Sequence, residues 1–216
     1  MTFGGVLVVL SVLYAHTYTL PLLSVMLLII GALWIRKTVQ ELGWDNVRGQ
    51  FYAVMGGAFL LQSVGFLLTG MSTTITLSIL AAAIYLLARI LFLIGNVRYV
   101  FHFQSLGYGI GRPMTTLVAV ITLLLGGTVL LLGKASSIPL YPWFIALDSA
   151  MLFIVLYNFL LLRGSDIARK WAIGYAVIFL FLVGDYLLAS GHGPLYPVLL
   201  WTTSFTLMGV ISLMRG

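Results

Sequence analysis

Three ionisable residues stand inside otherwise uncharged, apolar runs of the chain: Arg89, Asp148 and Asp185. A charge in hydrocarbon costs several kcal/mol unless it is paired or hydrated, so each of the three is a candidate functional group. At a helical rise of ~1.5 Å per residue, Asp148 lies about 14 Å beyond Pro139 and Asp185 about 9 Å before Gly191. The two belong to consecutive antiparallel helices, which usually pack side by side. The spacing therefore predicts two carboxylates at matched depth in one outward-facing polar cavity. Two like charges sharing such a site make a proton carrier or a cation site. Gln62, Thr202 and Thr203, at similar depth in their own helices, are the expected supporting polar groups, with Thr76, Ser78 and Ser204 beside them. Tyr141, Trp143, Tyr186, Tyr196 and Trp201 would line the mouth, although Trp and Tyr gather at bilayer interfaces whatever the function.

Arg89 precedes Arg98 by about 13 Å of helix, toward the cytoplasmic end. Its side chain is expected to snorkel or to be held by Asn96, Tyr157 or Asn158 as a helix lock, with anion binding or an inner gate as the functional alternative.

Other constellations carry less. Asp185, Ser190 and His192 hold the residue types of a hydrolase triad, but crowding into one helix end aims their side chains apart. Two acids in apolar helices are also found in intramembrane aspartyl proteases, yet here only the Gly184-Asp185 dipeptide matches their motifs. Gly107-Tyr108-Gly109-Ile110-Gly111 follows no strand and reads as a loop rather than a dinucleotide fingerprint. The chain has no cysteine and three scattered histidines, so no catalytic residue, metal site or cofactor is expected.

The elements that must position these groups follow from composition. Of 216 residues, 62% are apolar and 7% charged, against roughly a quarter charged in soluble domains; mean hydropathy is +1.14. The expected fold is an all-α integral membrane protein, a single transmembrane domain of seven helices over residues 20–42, 50–70, 74–97, 113–133, 138–162, 168–190 and 194–214. Residues 1–19 read as a short half-span or interfacial segment, with residues 3–15 as an eighth span in the alternative. Met1–Leu20 has no positive n-region and does not resemble a cleavable signal. Prolines fall in first turns and glycines at helix ends, as caps require.

Nine of the eleven Lys and Arg residues follow helices 1, 3, 5 and 7, and only Lys134 lies at the other side. This positive-inside bias predicts an N-terminus outside and a C-terminus in the cytoplasm, in a membrane expected to be the prokaryotic cytoplasmic one. The net charge of +6 is thereby an orientation signal, and no nucleic-acid partner is expected. Tyr52-Ala53-Val54 with Val64–Gly70 in helix 2 is similar to Tyr175-Ala176-Val177 with Val183–Gly191 in helix 6. This suggests a 3+1+3 pseudo-repeat, similar in plan to small sugar transporters of the SWEET type, although the prolines those proteins carry inside helices 1, 2, 5 and 6 are missing. Helix 7 has no lysine for a retinal Schiff base.

Three functional readings remain: a transporter or ligand-binding protein with a cavity around the aspartates, taking a small-molecule or cation ligand; a non-catalytic subunit with protein partners in a larger membrane complex; and an intramembrane hydrolase or lipid-modifying enzyme using the two acids. Gly56-Gly57, Gly126-Gly127 and Ala81-Ala82-Ala83 are small patches suited to close helix packing or to association.

Overall fold

The computed structural model describes residues 19–71, 75–132, 141–190 and 195–213. Among them are seven α-helices and no strand: α1 (Thr19–Lys37, continued by a π-helical turn, Thr38–Leu42), α2 (Val47–Met71), α3 (Ile75–Ser105), α4 (Arg112–Leu132), α5 (Tyr141–Leu161), α6 (Asp166–Ala189) and α7 (Leu195–Leu213). The first six are long and apolar enough to cross a bilayer, and the seventh contributes a shorter apolar stretch, Tyr196–Ile211. The chain is a multi-pass helical membrane protein in a lipid environment. The expected segment over residues 3–15, and Lys134, His192 and Arg215, lie outside the described residues.

The helices form a closed ring in which α1 packs on α2 and α7, α2 on α3, α3 on α5, α5 on α6 and α6 on α7. Helix α4 stands outside this ring against α5 and α6. Its inward side is a single stripe, Val118, Thr122 and Gly126, four residues apart, while Leu123, Leu124 and Leu131 face outward. With no water in the bilayer to drive apolar burial, small residues and hydrogen bonds hold such helices together. Ser24 of α1 donates to the Ser63 carbonyl of α2 at 2.9 Å, and Ser63 donates back to the Ser24 carbonyl at 2.7 Å. The glycine pairs divide their labour. A Cβ on Gly56 would sit 2.9 Å from the Gly31 carbonyl, and one on Gly126 would collide with Ser149, whereas Gly57 and Gly127 have open space.

Helix α3 runs eight residues past the expected end at Val97. Its stop is a Schellman cap: Gly107 adopts φ 87°, its N–H bonds to the Gln104 carbonyl, and the Tyr108 N–H reaches back to Phe103. The Tyr108 and Phe103 rings meet at 5.7 Å, the apolar contact that accompanies this motif. The glycine-rich stretch after α3 is thus, at its start, a helix cap. Helix α6 begins at Ser165, whose hydroxyl accepts from the Ala168 N–H at 3.3 Å. Pro21, Pro113, Pro142 and Pro197 all fall in first turns, where the missing N–H breaks no helical bond.

The two glycines at positions 56 and 57 separate packing from propensity. Gly56→Val is expected to lower the thermal unfolding midpoint in detergent, because α1 backbone lies in the way, while Gly57→Ala leaves it unchanged or raises it. Equal effects of the two changes would show that α1 and α2 are not in contact at this level.

Candidate functional site

Arg89 is the centre of the site. Its Nε donates to Asp148 Oδ1 at 2.7 Å and its Nη2 to Asp185 Oδ2 at 2.6 Å, so α3 is joined to both α5 and α6. The guanidinium also lies 4.8 Å from the Phe144 ring centroid and 5.9 Å from that of Phe181, within cation–π range. Side chains on a helix lean toward its N-terminus. Arg89 therefore points toward the Ile75 end of α3 and away from Arg98. The partners expected from sequence are engaged elsewhere: Asn96 donates to the Phe92 carbonyl at 2.6 Å, and Tyr157 accepts from Gln104 at 3.0 Å. Asn158 is fully buried and forms no side-chain bond among the described residues. Arg89 is a buried ion-pair residue, and the expected snorkelling lock is replaced by a salt-bridged one.

The two acids differ. Asp148 is completely buried, and its Oδ2 has no hydrogen-bond partner among the described residues. Asp185 borders a cavity of about 310 Å³ and receives the Trp201 Nε1–H on Oδ1 at 3.2 Å. Gly184 makes that approach possible, since a Cβ there would stand 2.7 Å from the indole nitrogen. One guanidinium facing two carboxylates leaves the cluster one formal negative charge in excess when both acids are ionised.

The cavity lies among α1, α2, α3, α5, α6 and α7 at the end of the bundle where α1, α3, α5 and α7 begin. Of the residues expected to form it, Asp185, Gln62, Ser78, Tyr141 and Trp201 do, and Arg89, expected nearer the cytoplasmic end, joins them. Asp148 sits behind Arg89. Thr202 and Thr203 do not line it: each hydroxyl is spent on a carbonyl one turn back in α7, and Thr203 is exposed. Trp143 and Tyr196 are exposed and are not among the residues that line it. Sequence reasoning missed Tyr85 and Thr69, whose hydroxyls meet at 3.0 Å on the wall. Tyr85 stands four residues before Arg89, and Ser78 and Ala82 continue the same helical face, so the periodicity of α3 held that signal.

Below the cavity the bundle closes with phenylalanines. Phe59 packs on Phe92, and Phe181 on Phe205, each pair at 5.0 Å. Beyond them a smaller cavity, about 80 Å³, opens at the opposite end, with Phe92 in its wall as Phe181 is in the wall of the first. On α3 and α6 one helical turn separates the two.

No protein-family model matches the chain, and comparison with curated proteins and with solved structures finds no match.

The charge count sets an order of stabilities. Removing one partner of a buried ion pair costs about 3–5 kcal/mol, and Arg89→Met, which leaves two carboxylates together, is expected to reach that range. Asp148→Asn leaves one guanidinium with one carboxylate and should cost less. Unfolding in detergent would reveal the order, and a variant at position 148 less stable than the one at 89 would contradict it.

Proposed function

We propose that the chain is a membrane transporter or ligand-binding protein whose larger cavity takes a small organic cation. The observation that carries this reading is the excess carboxylate: Asp185 lines an aromatic-walled chamber and shares the Arg89 guanidinium with Asp148. A cationic head beside Asp185 brings the cluster to neutrality, and Phe66, Tyr85 and Trp201 present ring surfaces of the kind that attract ammonium ions. A chamber of about 310 Å³ is within the usual range for small-molecule sites. The two cavities separated by a phenylalanine layer support passage through the bundle over simple capture.

Every Lys and Arg among the described residues other than Arg89 lies at the end opposite this cavity. By the positive-inside bias, that end faces the cytoplasm and the chamber opens outward in a cell membrane. The position of α4 outside the ring supports a 3+1+3 plan, with α4 as the linker. The same helix supports a second reading, as a subunit of a membrane complex, because its outward apolar face is available to another chain as well as to lipid. The hydrolase reading draws less support from the geometry, because the Arg89 guanidinium holds an oxygen of each acid.

Phenethylammonium and its neutral counterpart 2-phenylethanol discriminate the reading. The cation is expected to raise the unfolding midpoint of the wild-type protein and to enter proteoliposomes faster than protein-free liposomes; the alcohol should leave the midpoint unchanged and enter both kinds of liposome at the same rate. Asp185→Asn should abolish both effects while eluting as a folded, monodisperse species. A response shared by cation and alcohol, or retained in Asp185→Asn, would sink the cation site. A stoichiometric partner chain in native mass spectrometry would favour the subunit.

A further inference from the structure

The smaller cavity has a chemistry opposite to that of the larger one. Lys37, Arg48 and Lys170 border it, brought from the end of α1, the start of α2 and the start of α6, and among the described residues its lining holds no carboxylate. The cations are positioned by their surroundings. Lys37 lies over the Tyr52 ring at 5.1 Å, and Arg48 lies near the Tyr99 hydroxyl. The π-helical turn that follows Lys37 is closed by the Gly43 N–H on the Thr38 carbonyl at 2.8 Å. Thr38 in turn donates to the Gly49 carbonyl of α2, also at 2.8 Å. This ties the Lys37 end of α1 to the start of the helix that carries Arg48.

Two polar atoms in the same wall have no partner among the described residues. Trp34 is 1% exposed, and its Nε1–H makes no hydrogen bond. Asn96 is 3% exposed; its amide nitrogen is committed to the Phe92 carbonyl, which leaves Oδ1 without a donor. A buried N–H left unmade is costly and rare in native proteins. Three cations, an orphan donor and an orphan acceptor around one small space describe a complementary group: an oxyanion that carries a hydroxyl. Phosphate in its monoanionic or monoester form has both, with ionised oxygens for Trp34 and the bases, and a P–OH for Asn96. The space of about 80 Å³ admits a tetrahedral oxyanion and excludes a bulky organic body.

We infer that this cavity is a phosphate-binding site, filled either by free phosphate or by the headgroup of an anionic phospholipid. Its position at the bundle end suits both sources, since the bases gather there, where lipid headgroups meet water.

Inorganic phosphate tests the site in the full chain, purified in neutral detergent, with chloride at equal ionic strength as control. Phosphate is expected to raise the unfolding midpoint saturably, and sulfate, which has no proton for Asn96, to do so more weakly. Trp34→Phe keeps an aromatic ring but removes the donor together with part of a buried side chain, so its midpoint without phosphate is expected to fall; measured against that lowered baseline, phosphate should bind at least about tenfold more weakly. Lys170→Gln should weaken it further. If phosphate has no effect but phosphatidic acid in mixed micelles gives a shift that both variants lose, the headgroup is the ligand. No shift from either source overturns the inference, as does a shift that Trp34→Phe leaves intact. Should Lys170→Gln fail to fold, Trp34→Phe alone decides.

Discussion

A guanidinium and two carboxylates inside an apolar bundle constrain everything around them. Each charge is untenable in hydrocarbon alone, and Arg89 can satisfy Asp148 and Asp185 only if α3 lies against both α5 and α6. That requirement brings α3 to α5 past the helix that separates them in sequence, and α4 is left outside the ring. The Trp201 indole then draws α7 onto Asp185, at a point where Gly184 leaves room for it. Serine and glycine contacts hold α1 on α2, but the register of α3, α5, α6 and α7 follows from one charge cluster.

Much of this was legible in the residues, because charges and prolines are scarce in membrane helices and so stand out. Seven helices, prolines in first turns and the proximity of Asp148 to Asp185 follow from hydropathy, spacing and short connections. Arg89 was misplaced because its depth was measured from its Cα, toward the nearest bases. A helix side chain leans toward the N-terminus, and a long one carries its charged head several ångströms along the axis, up to about a turn. Thr202 and Thr203 illustrate a different limit. A hydroxyl in an apolar helix can always bond to its own backbone one turn back, so depth alone does not bring it into a cavity. The length of α3 was hidden by reading Arg98 as a helix end; the true stop, at Gly107, is conformational and independent of hydropathy.

Above and below the phenylalanine layer the described cavity linings differ in charge, with Asp185 beside Arg89 on one side and Lys37, Arg48 and Lys170 on the other. The separation decides how strongly the two halves influence each other. Asp185 and Lys170 are fifteen residues apart on α6, about 22 Å at the helical rise, and two unit charges at that distance interact by roughly 0.8 kcal/mol at an effective dielectric of ~20. Three such terms amount to about 2 kcal/mol, and screening at the wet end reduces them. Direct electrostatics between the chambers is therefore a modest bias. Mechanical connection is shorter, because Phe92 and Phe181 each border a cavity and lie on the helices that carry Arg89 and Asp185. Phe92 sits one turn from Arg89, and Phe181 one turn from Asp185. A ligand that drew Asp185 away from Arg89 would shift α6 against α3 at the level where the rings close the bundle. Coupling between the two ends thus has two routes, a screened electrostatic bias of at most about 2 kcal/mol and the packed layer itself, and only the second is insensitive to salt.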